Sequence, residues 1–219
     1  MFGKNPIRPV EKGDGEYLKI QSIFLTLQGE GPYTGLPSIF IRLGGCNLAC
    51  SFCDTEFESF NELSIEDILN TTSELTKDKK VGLIVITGGE PLRQPIKKLC
   101  QELLEKGYKV QIESNGTLFQ DIPSEVEVIC SPKISNGKYH KIRADLEKYI
   151  IAYKFIISST QKEYSNIPSW DFNNKKVYLQ PMDEIDKEKN LANQKLAMEL
   201  AFKTGYMFSS QLHKILGIE

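Results

Sequence analysis

The residues Gly82-Leu83-Ile84-Val85-Ile86 form an almost unbroken apolar run, closed at once by Thr87-Gly88-Gly89-Glu90-Pro91. A strand with water on one face alternates apolar and polar side chains, whereas a strand covered on both faces is apolar throughout, as parallel strands are. Comparable β-rich segments occur at residues 38–43, 110–112, 126–130, 152–157 and 176–179, giving a series of six, and residues 17–27 add an N-terminal strand. Helical periodicity fills some of the gaps. Ser64 and Asp67 begin a pattern carried by Ile65, Ile68 and Leu69; Ile96, Leu99, Cys100, Leu103 and Leu104 form a second, stopped by Gly107. A third runs from about Asp186 to Lys203, with Leu191, Leu196, Leu200 and Ala201 expected on its buried side.

Strands joined by crossovers long enough for a parallel return imply an α/β fold. Each strand of the series also ends in polar or glycine-rich residues: Cys46 onward, Thr87-Gly88-Gly89-Glu90, Glu113-Ser114-Asn115-Gly116, Ser131-Pro132-Lys133, Ser158-Ser159-Thr160 and Gln180-Pro181-Met182-Asp183. In a parallel barrel such ends meet on one rim around one ligand, while an open sheet gathers only those beside its switch point. Only three main helices are evident, since residues 115–124 carry turn residues and a proline and residues 138–148 are a weak, basic helix candidate. The expectation is a partial parallel (β/α) barrel with reduced helix content, about six strands and three main helices.

A length of 219 residues suits a single domain, 1–219, with 1–16 as an N-terminal extension. A net charge of −2 offers no excess to attract nucleic acid. No apolar window approaches the roughly 18 residues that span a bilayer, and the start lacks an apolar signal core, so a cytoplasmic protein is expected. The cysteines, five in all, are odd in number, and Cys46, Cys50 and Cys53 share one short loop. That crowding points to metal ligation rather than disulfides. A structural zinc site is ordinarily closed by a fourth Cys or His. None lies nearby: His140 and His213 are remote, and Cys100 and Cys130 sit in apolar patterns that suit buried structural thiols. An iron–sulfur cluster with one iron left open is the better account of three thiolates; a zinc-bound interaction module is the alternative of a different class.

The three-cysteine loop after one strand, with Gly88-Gly89-Glu90-Pro91 after the next, resembles the radical S-adenosylmethionine (SAM) superfamily. The strings LTLQGEGPYTG (residues 25–35), Phe40-Ile41-Arg42-Leu43-Gly44-Gly45-Cys46 and Cys53-Asp54-Thr55, with Gln211-Leu212-His213-Lys214 near the end, narrow the resemblance to the 7-carboxy-7-deazaguanine synthase family. A glycyl-radical activase shares the cysteine spacing, but the LQGEG loop and Thr55 argue against it. The resemblance implies a radical SAM barrel and a carbon–nitrogen lyase of queuosine and 7-deazapurine biosynthesis. Such an enzyme contracts 6-carboxy-5,6,7,8-tetrahydropterin to 7-carboxy-7-deazaguanine with loss of ammonia, using a 5'-deoxyadenosyl radical.

It further implies a 4Fe-4S cluster on Cys46, Cys50 and Cys53, SAM, and Mg2+ on the hydroxyl of Thr55. Substrate contacts fall to Leu27, Gln28, Gly29, Arg42 and Thr87, with the Arg42 fork suited to a carboxylate. SAM contacts fall to Phe52, Asp54 and Gly89, to Ser131, Pro132 and Lys133, and to Gln180, Pro181, Met182 and Asp183. Glu30 and His213 are candidate neighbours of the substrate, and Glu113 and Ser114 candidates for the ribose hydroxyls. The implied partners are the pterin, an electron donor such as flavodoxin, and a second copy in a homodimer.

Overall fold

A computed structural model describes residues 5–218. Strands β1 (Tyr17–Leu27), β2 (Pro37–Leu43) and β3 (Asn61–Ser64) lead into helix α1 (Ile65–Thr76). There follow β4 (Leu83–Gly88), α2 (Lys97–Glu105), β5 (Lys109–Ser114), β6 (Glu127–Cys130) and a small hairpin, β7 (Ile134–Ser135) and β8 (Lys138–Tyr139). Strands β9 (Ile150–Ile157) and β10 (Lys176–Pro181), helix α3 (Lys187–Thr204), β11 (Met207–Phe208) and a short α4 (Leu212–Leu216) complete the described chain.

One nine-stranded sheet has the order β11-β10-β9-β6-β5-β4-β2-β1-β3. The six expected strands are β2, β4, β5, β6, β9 and β10, all parallel to one another, while β1 runs antiparallel to β2 and β3. The basic stretch 138–148 is not a helix: it contains β8 and one 3-10 turn, Ala144–Leu146. Among the described residues no helix is long and apolar enough to cross a membrane.

The two faces of the sheet differ. Ile39, Ile41, Leu43, Ile84, Ile86, Val110 and Ile112 belong to the main core, on which α1, α2 and α3 pack. Each fully buried aliphatic side chain there contributes about 1.5–3 kcal/mol. Alternation sends Phe40, Arg42, Val85, Thr87, Gln111 and Glu113 to the opposite face. Further along the sheet, Ile129, Ala152 and Tyr178 form a small second apolar cluster, separate from the main core. Arg42 pairs with Thr87 and Ile86 with Ile112, so Glu113 follows beside Thr87 and a polar layer crosses the strands.

The helices obey their local signals. Asp67 N donates to Ser64 Oγ at 3.1 Å at the start of α1, Asp186 Oδ1 accepts from Glu188 N and Lys189 N at the start of α3, and left-handed Gly205 ends α3. On the expected buried side of α3, Leu200 is buried and Leu196 and Ala201 pack partly buried against the core, but Leu191 is 53% exposed, and Asn193 and Ala197 turn inward instead. Asn193 turns the helix: its Oδ1 accepts from Ser159 N at 2.7 Å and its Nδ2 donates to Met182 O at 3.0 Å. Satisfying a fully buried amide outweighs burying one more leucine.

The hydrogen-bonded sheet is open, and the gap between β1 and β10 is spanned by the loop after β1. Gly31 N donates to Ser209 Oγ at 3.0 Å, Leu212 N to Gly29 O at 3.0 Å, and Gln180 Nε2 to Glu30 Oε1 at 2.9 Å. The barrel is thus partial in its strands and completed by a loop.

Candidate active site

The C-terminal strand ends surround a cavity of about 280 Å³. Its wall includes the three cysteines and Thr55; Leu27, Gln28, Arg42 and Thr87; Phe52, Asp54 and Gly89; Ser131 and Lys133; and Gln180, Pro181, Met182 and Asp183. Gly29 and Pro132 do not line it. Gly29 stands behind, where a Cβ would lie 2.4 Å from His213 Nδ1, and Pro132 is buried in the turn between Ser131 and Lys133. Glu30, Glu113, Ser114 and His213 reach the same cavity.

The cysteine loop leaves β2 through Gly44 and Gly45 and is held against the next strand end. Glu90 N donates to Gly45 O at 3.0 Å, and a Cβ on Gly89 would lie 2.0 Å from Gly45 O, so glycine is what lets the two loops touch. Glu90, fully buried, accepts from Ser114 Oγ at 2.8 Å, Asn115 N at 2.7 Å and Leu92 N at 3.1 Å. Asn115 Nδ2 then donates to Asn47 Oδ1 at 3.0 Å, beside Cys46. Three strand ends are therefore locked together behind the thiols.

Burial pushes the Cys46 thiol up to about 12, and it also raises Cys50 and Cys53. Such thiols are inert until a metal takes the place of the proton. The donors fit a cluster: they are soft, they share one cavity wall, and Leu48 N already points at Cys46 Sγ from 3.4 Å. No three His, Cys, Asp or Glu side chains among the described residues gather on a single-ion site. Cys100 and Cys130 are fully buried away from this wall.

In the same cavity, Arg42 lies over the Phe24 ring at 5.6 Å, and Phe24 stacks on Phe40 at 5.5 Å. Gln28 is 2% exposed; its Oε1 accepts from Glu30 N at 3.1 Å, and its Nε2 is buried without an acceptor among the described residues. An unsatisfied buried donor costs roughly 1–3 kcal/mol, so a ligand acceptor at that point is favoured. Phe52 packs edge-on against Tyr164 at 5.0 Å, shaping the other end, and Lys214 joins Asp54 at 2.9 Å to Asp183 at 2.5 Å.

One group absent from the sequence expectations dominates the electrostatics. Lys154, on β9, is paired with Glu30 and, at 2.9 Å, with Glu113. Burial alone would raise Glu30, but the Lys154 ammonium overrides it and holds that carboxyl at about 2. Burial dominates at Glu113, which is raised despite the same lysine. The signal was present in the sequence: Lys154 is the single charged residue in the strand IIAYKFII. Burial likewise lowers His213, against the pull of Glu30.

Comparison with known proteins agrees with this geometry. Residues 40–132 match the Radical SAM superfamily model. The chain is 53% identical to 7-carboxy-7-deazaguanine synthase of Rickettsia prowazekii, over 100% of this chain and 96% of that one. It is 36% identical to the 7-carboxy-7-deazaguanine synthase of Rhodospirillum rubrum over the whole of both chains. The crystal structure of QueE from Escherichia coli superposes with a TM-score of 0.72 at 26% identity, covering 90% of this chain and 95% of that one. The chain belongs to the 7-carboxy-7-deazaguanine synthase family of radical SAM enzymes.

Proposed function

We propose that this protein is the radical SAM lyase that converts 6-carboxy-5,6,7,8-tetrahydropterin to 7-carboxy-7-deazaguanine with release of ammonia, in queuosine biosynthesis. The observation that carries this reading is the shared cavity: three thiols, the Arg42 side chain and Gln28, whose Nε2 is buried without a partner among the described residues, all line it. Cys46, Cys50 and Cys53 hold the 4Fe-4S cluster. Phe52, Asp54, Gly89, Ser131, Lys133 and the segment Gln180-Pro181-Met182-Asp183 hold SAM, with Pro132 setting the turn that presents Ser131 and Lys133. When bound, these groups supply an electron and a carbon-centred radical able to take a hydrogen atom from the substrate.

The remaining work falls to side chains of this chain. Arg42, placed over the Phe24 ring, binds the substrate carboxylate through its fork. Gln28 offers its Nε2 to a ring acceptor, and Leu27 and Thr87 complete that wall, with Gly29 backing it against His213. Glu30 stays ionised beside Lys154 and faces the ring's N–H edge. Thr55, whose hydroxyl donates to Asp54 Oδ1 at 3.2 Å, would offer Mg2+ a hard oxygen ligand.

The whole of 1–219 serves as one domain, working as a homodimer with a low-potential donor such as flavodoxin. Five free cysteines suit the reducing cytoplasm. The test is anaerobic incubation with the carboxy-pterin, SAM, magnesium and a reductant. The deazaguanine product and ammonia are expected; SAM cleavage without either product would overturn the assignment.

A further inference from the structure

We propose that the segment 5–11 is a clasp on the cysteine loop, with the Asn5 amide positioned as hydrogen-bond donor to the Cys53 sulfur. The inference rests on the reading of Cys53 as a cluster ligand. Asn5 lines the cavity wall, and its Nδ2 lies 3.2 Å from Thr55 O and 3.8 Å from Cys53 Sγ. The Thr55 carbonyl accepts, which fixes the amide with its two N–H groups toward the loop and its oxygen away.

As a thiol, Cys53 also points its own hydrogen at Thr55 O, 3.7 Å away. A thiolate has no hydrogen to give. Once Cys53 is ligated, Asn5 therefore keeps its place as donor to both the carbonyl and the sulfur.

The clasp is pinned along its length. Arg8 N donates to Cys46 O at 2.7 Å, and the Arg8 guanidinium donates twice to Glu58 Oε2, at 2.7 and 2.5 Å. Glu11 meets the buried Arg93 at 2.7 Å, and Arg93 Nη2 donates to Gly44 O at 2.8 Å on the stem of the same loop. A segment tied to both ends of the loop places Asn5 with little freedom, as an outer-shell partner requires. Donors to cluster sulfurs favour the reduced, more negative cluster and so raise its potential.

The experiment uses the full chain carrying Asn5→Ala and Asn5→Asp. In the anaerobically loaded enzyme, the midpoint potential shifts negative in Asn5→Ala and further in Asn5→Asp, which sets a charge against the sulfur. In the iron-free chain, hydrogen exchange over residues 46–57 speeds up in both. Unchanged potentials in both variants overturn the inference, and so does unchanged exchange if the variants fail to load iron. Full iron loading in Cys53→Ala would instead overturn the cluster assignment itself, and this inference with it.

Discussion

Replacing Lys154 with Met tests the electrostatic centre of the site. The thioether fills most of the volume of the lysine stem, so the change is chiefly loss of charge. Lys154 is 6% exposed and its partners Glu30 and Glu113 are 17% and 14% exposed, so the variant leaves two carboxylates buried without their cation. Removing one partner of a buried pair costs about 3–5 kcal/mol. For a chain of this size each kcal/mol moves the melting temperature by about 2–4 °C, so a drop of about 6–20 °C is expected near neutral pH.

The sign of the pH dependence follows from Glu30. In the wild type its carboxyl is held at about 2, so its contribution is complete above the ordinary glutamate range and is lost as pH falls toward that value. In Lys154→Met both carboxyls rise and take up protons earlier, so the deficit is largest above about pH 7 and narrows toward about pH 5. Thermal unfolding of the anaerobically purified protein at both pH values reads the effect, and adding Glu113→Gln should return part of the loss. A melting temperature within about 2 °C of wild type near neutral pH, or a deficit that widens on acidification, refutes the reasoning.

Cys50→Ala should abolish stable iron loading and SAM cleavage, while Cys100→Ala should load iron normally and lose about 1 kcal/mol of stability for its small cavity; iron analysis and melting separate the two. Arg42→Lys should weaken carboxy-pterin binding by about tenfold or more, the loss of one arm of a charge-assisted fork, with SAM binding intact; calorimetric titration at wild-type affinity would remove Arg42 from the carboxylate site. Thr55→Ala should lower turnover and blunt the magnesium response without changing iron content, and an unaltered magnesium titration would exclude Thr55 as a ligand.

What the sequence determined by itself was whatever its signals act on locally. The apolar run at β4, the Ser64 and Asp186 caps and the Gly107 stop each depend on a few neighbouring residues, and all six parallel strands and three main helices formed where those signals lie. The three-cysteine loop was legible for the same reason, its thiols lying eight residues end to end. The two-residue β11 and short α4 carry too little pattern to register. Only the tertiary structure decided the contacts between distant polar groups: Glu30 with Lys154, 124 residues apart, Glu30 with Gln211, 181 apart, and Asn5 with Cys53, 48 apart. It also set Asn193, rather than Leu191, as the anchor of α3. Periodicity reports which side of an element is buried, but a buried charge or amide is placed by whichever partner satisfies it, and that partner is known only once the chain has folded.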